Sequence, residues 1–386
     1  MHSGIILLAV VSFLTDLSSE IILPLLPLHL AALGAAGTAV GLVGGLGDAA
    51  GDLLKVFAGY TADRLGRKKP LVIAGYTLSS FAKLLFPLAV SWQQFLLFRP
   101  LERIGKGLRS APRDAIITDL AGPELRGRAF GFHRAMDTAG AIAGTCAGLL
   151  LIWGLGLPIR TALMVGAALA FAALPLLFLV QEERRAPVRR SLAWQVSSLP
   201  GPARRLLLVS AVFALGRVSY MFYLLRASGH FIGQMAAVGP LLLYLGFNVV
   251  YTLTSMPAGH WSDRKGRRPV LVAGLATFAI SCVGMGLSSS VLTLALSLGL
   301  LGLAHGMVEG NFRAYLGDLS PAASRGTTMG LFHTLSGLAA LAGGVAAGLL
   351  WDRLGPPAAF TWGAVLSMAA AGLLARSPVD RLPAPG

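Results

Sequence analysis

Twelve stretches of mostly apolar residues, each near the roughly 20 residues a helix needs to cross a bilayer, follow one another through this chain of 386 residues. They are predicted at 5–30, 38–61, 70–91, 93–117, 127–153, 158–181, 205–231, 235–260, 269–287, 291–317, 324–352 and 358–376. A backbone N–H or C=O left unpaired in hydrocarbon is costly, so such stretches fold as helices that satisfy their own polar groups. The composition agrees: 55% of residues are hydrophobic, 13% are charged and the mean hydropathy is +0.71, which places the chain in lipid and not in water. The first apolar run follows Met1, His2, Ser3 and Gly4 with no basic segment ahead of it and is too long for a signal-peptide core. It is expected to be a span and not a removable signal.

One connection is not short. Residues 182–204 hold Glu182, Glu183, Arg184, Arg185, Pro187, Arg189, Arg190, Pro200 and Pro202, a polar linker that divides the chain into 1–181 and 205–386 with six spans on either side. Basic residues concentrate in that linker and in alternate loops: Arg64, Arg67, Lys68 and Lys69; Arg126 and Arg128; Arg264, Lys265, Arg267 and Arg268; and Arg325. The intervening loops near 31–37, 91–93, 228–234 and 287–290 carry no Lys or Arg. By the positive-inside bias the basic loops and both termini are expected in the cytoplasm, which requires an even number of spans. This placement also accounts for the net charge of +15 without nucleic acid as a partner. Cys146 and Cys282 each lie within an apolar stretch, so neither a disulfide framework nor a zinc site is expected and both read as packing residues.

The halves repeat one another. Gly59-Tyr60-Thr61-Ala62-Asp63-Arg64-Leu65-Gly66-Arg67-Lys68-Lys69-Pro70 recurs as Gly259-His260-Trp261-Ser262-Asp263-Arg264-Lys265-Gly266-Arg267-Arg268-Pro269, each between the second and third span of its half. Asp119-Leu120 followed by Arg126-Gly127 is echoed by Asp318-Leu319 followed by Arg325-Gly326. Duplication of a six-helix unit explains both. The loop pattern resembles the signature loop of the major facilitator superfamily, present twice and in the matching places. The resemblance implies an all-α membrane protein of twelve transmembrane helices in two six-helix bundles around a central cavity, a secondary transporter and not an enzyme. It also implies that a monomer is the usual form. Gly66 and Gly266 suit a sharp reversal, while Asp63 and Asp263 can pair with neighbouring arginines or a helix N-terminus of the other half. Gly59, Asp63, Arg64, Gly66 and Arg67 with Gly259, Asp263, Arg264, Gly266 and Arg267 are therefore expected to latch conformations without touching substrate.

Two further patterns resemble the family. Arg103, Gly107 and Ala111 in the fourth span are similar to its arginine motif, which the resemblance links to proton coupling. Gly131, Gly140, Gly144 and Gly148 in the fifth follow the glycine motif of drug/proton antiporters of bacterial cytoplasmic membranes, with Thr145 in place of proline and Leu149 in place of the last glycine. Small residues that admit close helix packing explain the glycines equally well.

Ionisable groups in hydrocarbon are costly and turn towards a partner or a cavity. Asp16 and Glu20, one turn apart on the first span, are the leading protonation candidates, with Arg103 and Asp137 beside them in the coupling set. The fourth span carries Arg99, Glu102, Arg103, Lys106, Arg109, Arg113 and Asp114, with a basic stripe that cannot face lipid; Asp16, Glu20 and Asp137 are its expected partners. A carboxylate changes its proton affinity as it moves between an arginine and an apolar wall. Alternating access would therefore couple protons if Asp16 or Glu20 exchanged partners with Arg103. For substrate the candidates are Asp48, Asp52, Arg99, Lys106, Arg217, Tyr244, Asn248, Tyr251, His305 and Glu309. His133 and His333 read as structural.

No phosphate-binding loop, nucleotide fold or cofactor-ligand cluster is evident, so an ion gradient must supply the energy. Export of a small organic compound in exchange for protons is the expected function. Transport of an organic anion by the basic fourth span is the alternative, then divalent-metal export through Asp16, Glu20, His305 and Glu309. A transport-inactive sensor would have no reason to keep so many midplane charges.

Overall fold

The computed structural model of the protein describes residues 2–65, 67–182, 199–320 and 325–376. Most of the 182–204 linker, Gly66 and the extreme C-terminus lie outside that description, as do Gly59 and the side chains of Asp63, Arg64, Arg126 and Arg325. Among the described residues all regular structure is helical. The first span is Ser3–Ile22 continued by Leu26–Ala32, and the second and third are Gly37–Leu65 and Lys69–Leu85. Helical bonding then runs without a break over Phe95–Leu149, which straight would be roughly 82 Å long. Its first arm brings Leu120 against Gly4, whereas Gly140, Gly144 and Gly148 pack against Phe13, Leu17 and Ile21 in rising order. The run therefore doubles back and forms the fourth and fifth spans. The sixth span covers Ile159–Leu179. The second half repeats the plan with Gly201–Gly216 and Tyr220–Ser228, Met235–Lys265, Arg267–Gly286, Val291–Asp318, Arg325–Leu354 and Pro356–Arg376.

Nine of these spans are long and apolar enough to cross a membrane on their own. The second, third and fourth are not among them. The second is diluted by glycines with Asp48, Asp52 and Lys55, the third has only 17 residues, and the fourth carries the charges from Arg99 to Asp114. Packing compensates. The fourth span lies against the first, second and third, with Gly105 backed onto the Gly75 carbonyl and Gly107 onto that of Gly51. Its basic stripe is thus enclosed by protein, as the sequence predicts.

Two spans are broken where hydropathy suggests continuity. Pro24 interrupts the first between Ile22 and Leu26, and the seventh opens at Arg217, whose backbone is extended (φ −72°, ψ 91°). Each break falls in the first span of its half, and the short helices beyond the breaks meet each other. At the other end of the bundles Gly266 (φ +95°) makes the predicted reversal between the eighth and ninth spans.

The bundles are sealed at the face opposite the basic loops. One apolar cluster there joins Leu25, Leu26, Phe86, Phe95 and Ile152 of the first half to Met221, Val238 and Leu241 of the second. Beside it the second and eleventh spans meet along glycine. A Cβ on Gly41 would stand 2.0 Å from the Gly344 carbonyl oxygen, and one on Gly348 would stand 2.5 Å from that of Gly37. Asp352 completes the seal by accepting from the backbone N–H of Gly37 (2.6 Å) and Thr38 (2.8 Å), an acid from one bundle capping a helix of the other. Nothing in the sequence pattern marks this seam, because its glycines read equally well as ordinary helix-packing residues. Towards the basic face the bundles diverge, and Arg134 (63%), Glu309 and Arg313 (50% each) are exposed although they stand in the middle of the protein.

Candidate transport site between the two bundles

The interior of the first bundle is an ion-pair lattice. Arg99 bonds Glu102 at 2.8 Å with both side chains buried, and Arg103 reaches Asp48 at 3.0 Å and Glu102 at 3.9 Å. The expected partners of these cations, Asp16, Glu20 and Asp137, are not the observed ones. The reason is steric: Gly47 lets the second span press onto the stems of Arg99 and Arg103, with a Cβ there only 2.9 Å from Arg99 Cγ, and Asp48 arrives beside the guanidinium. Arg99 is turned into the bundle and not towards the gap. Arg109 lies over the Tyr76 ring, 4.2 Å from its centroid, while Arg113 bonds Asp114 at 2.9 Å and Ser12 at 3.3 Å.

Between the bundles a belt of polar contacts crosses the midplane. Asp48 faces Arg217 at 3.9 Å, and the break in the seventh span delivers that arginine. Asp52 holds Lys55 at 2.6 Å and faces His333 of the eleventh span at 3.6 Å. Arg134 donates to the Tyr251 hydroxyl (3.0 Å), which donates to Glu309 (2.8 Å). Arg313 stands 3.8 Å from Glu309, and Asp137 lies near both His133 (3.6 Å) and Arg134 (3.9 Å). Tyr244 and Asn248 are buried. Tyr244, Phe247 and Tyr251 stack along one face of the eighth span, and His305 sits edge-on to Phe247 at 5.4 Å with Nδ1 on the Leu301 carbonyl. Among the described residues no three His, Cys, Asp or Glu converge to hold an ion.

Among the carboxylates described in the interior of the spans, Asp16 and Glu20 are the two with no cation within 4.0 Å; Asp352, at the end of the eleventh span, also has none but is taken up by backbone N–H groups. Glu20 Oε2 is buried without a hydrogen-bond partner, its carboxyl turned to the Tyr244 hydroxyl across the gap. The charges that act on Asp16 from beyond ion-pair distance include Lys106, Asp137, Arg109 and Arg113. Both acids are inside the protein.

Several members of this network are absent from the sequence reading. Lys83 of the third span is fully buried and donates to Ser19 Oγ (2.8 Å), Ser18 Oγ (3.0 Å) and the Thr15 carbonyl (3.4 Å), which ties the third span to the helix of Asp16 and Glu20. His333, read as structural, stands in the belt. The rule that an ionisable group in an apolar run is functional until shown otherwise would have flagged both. Cys282 is buried against Tyr223 as expected, but Cys146 is exposed and does not pack inside.

The Major Facilitator Superfamily profile matches residues 8–248 and again 206–385. The chain belongs to this superfamily. It is 38% identical over 379 residues to an MFS-type transporter of Methanocaldococcus jannaschii, covering 97% of this chain and 94% of that one. It is 27% identical over 347 residues to the multidrug resistance protein MdtH of Cronobacter sakazakii (83% and 79%). Among solved structures it superposes on the nucleoside transporter NupG with a TM-score of 0.74 at 15% identity (97% and 98% covered). On the human organic anion transporter MFSD10 the TM-score is 0.67 at 20% identity (96% and 98%). The chain is therefore a secondary transporter with the all-α fold of that superfamily.

The transporter's signature loops bind within their own bundles. Asp263 pairs with Arg267 at 2.6 Å, and Arg267 also reaches Asp318 at 3.1 Å and Ser262 Oγ at 3.1 Å. Of the two expected partners, a neighbouring arginine or a helix of the opposite half, Asp263 takes the arginine. Counted back from the proline, the two copies do the same work. Lys68 and Arg267 pair with Asp119 and Asp318 at the ends of the fourth and tenth spans. Lys69 and Arg268 donate to the carbonyls of Val180 and Ala375, which end the sixth and twelfth. Each loop therefore clamps three spans of one bundle together. Gly140 and Gly144 of the fifth span likewise serve packing, since a Cβ on Gly144 would be 2.4 Å from the Leu17 carbonyl and one on Gly140 2.5 Å from that of Phe13, whereas one on Gly131 would meet nothing within 4 Å.

Proposed function

We propose that this transporter exports a small organic compound in exchange for protons, by alternating access. The basic face is the cytoplasmic one by its loop charges, so the bundles here open to the cytoplasm and close on the far side. The observation that carries the coupling role is the isolation of Asp16 and Glu20: apart from Asp352, which caps the second span at the sealed face, they alone among the described intramembrane carboxylates lack a cation within ion-pair reach. Opening the far face would move the first span against the eighth and change what Glu20 meets, which is how a proton is taken on one side and released on the other. Arg103 and Asp137 belong to this set as the charges that hold the acids' surroundings. Asp48, Asp52, Lys106, Arg217, Tyr251 and Glu309 are the groups placed to meet substrate, with Tyr244, Asn248 and His305 in the wall behind them. The likeness to multidrug resistance proteins and the glycine pattern of the fifth span favour export. A second reading, an organic anion as cargo, is favoured by the exposure of Arg134, Arg217 and Arg313 in the gap. In both readings each half moves as a unit of a monomer.

The test is proteoliposomes with an imposed pH gradient, challenged in parallel with cationic drugs, organic anions and divalent metals. Proton movement evoked by one class names the cargo. Asp16→Asn combined with Glu20→Gln is expected to abolish that movement while substrate binding persists. Coupled transport with unchanged pH dependence in the double variant would refute the assignment.

A further inference from the structure

We infer that the groove along the third span at the basic face, where the sixth span lies beside it, is a binding site for one anionic phospholipid. The groove has a volume of about 940 Å³ and is lined by Arg67, by the third span from Lys69 to Phe81 and by Glu182. Its apolar wall is a single stripe of the third span from Pro70 to Phe81, in steps of three and four, hollowed where small Ala74 follows Ile73. Phe81 closes the deep end by meeting Phe171 edge-on at 5.2 Å. From Pro70 to Phe81 a helix rises about 16 Å, about half of a 30 Å hydrocarbon core. The groove is therefore as deep as one leaflet and suited to an acyl chain.

Its mouth is basic. Arg67 is exposed and among the described residues has no carboxylate within 4.0 Å. Lys69 directs its ammonium to the carbonyls of Phe178 (2.8 Å) and Val180 (2.7 Å) but keeps its charge at the rim. The one acid among its described lining residues, Glu182, accepts from the backbone N–H groups of Lys68 and Lys69 and forms no ion pair with Arg67. What remains is a guanidinium at headgroup depth above an apolar slot, the pattern by which basic pockets between membrane helices hold acidic headgroups. A phosphodiester accepts from a guanidinium in bidentate fashion. A zwitterionic headgroup brings no net charge to this surplus.

The full-length transporter, reconstituted in nanodiscs of mixed phosphatidylglycerol and phosphatidylethanolamine and released for native mass spectrometry, is expected to retain one phosphatidylglycerol in preference. Arg67→Gln should lower that retention roughly fivefold, the effect of about one basic group at a membrane surface. Ala74→Trp, a substitution at an exposed position, should fill the slot and abolish it. Inorganic phosphate and glycerol 3-phosphate should not displace the lipid. Equal retention of the two phospholipids, wild-type retention in both variants, or displacement by free phosphate would each overturn the site.

Discussion

Replacing Gly41 with leucine is expected to hold the transporter open at the face away from its basic loops and to bring turnover close to a halt. The seal there is backbone against backbone: a Cβ at Gly41 would stand 2.0 Å from the Gly344 carbonyl oxygen, and one at Gly45 would stand 2.8 Å from Leu341 Cα. No rotamer relieves such a clash, because the atom met is main chain. Overpacking of this kind costs about 1–3 kcal/mol, which as a bias between two states is roughly a 5- to 150-fold shift. Spin labels at Ala36 and Leu354, the exposed ends of the second and eleventh spans, report the distance across the seam. They should show it lengthened in Gly41→Leu and unchanged in Gly131→Leu, where no atom lies within 4 Å of the added carbon. If the seam stayed closed and transport continued in Gly41→Leu, it would not be the gate.

The largest effect on stability is expected from Glu102→Leu. Arg99 is 2% exposed and Glu102 is its partner at 2.8 Å, with Arg103 a further 3.9 Å contact. Removing one member of a buried pair leaves an uncompensated charge and costs on the order of 3–5 kcal/mol. Thermal unfolding in detergent should show this as a large fall in midpoint. Arg99→Leu combined with Glu102→Leu should recover most of it, since replacing both partners by apolar groups of similar size is often near neutral. A single variant that melts with the wild type would mean that the pair contributes nothing.

Much of this architecture can be read along the chain, and particular residues show where reading stops. The fourth span is legible because seven charges in one apolar run leave its basic face no choice but to turn inward. The choice of Asp48 over Asp16 as partner of Arg103 is not legible, since it depends on how closely Gly47 lets the second span approach. Asp16 and Glu20 stand out on the sequence as acids one turn apart. Only the folded chain reveals that they are the acids left over. The break at Arg217 has no proline to announce it, and Lys83 and His333 gain meaning only from the helices that meet them.

By itself the sequence determined the class of protein, the twelve crossings and the duplicated plan. Backbone groups in lipid must be satisfied within each segment, so hydropathy and loop charge are local properties that a single chain displays. The tertiary structure alone decided which face is sealed, which acids stay unpaired and which groups line the gap. Those outcomes depend on distances between helices far apart in sequence, set by glycine contacts that carry no address for their partners.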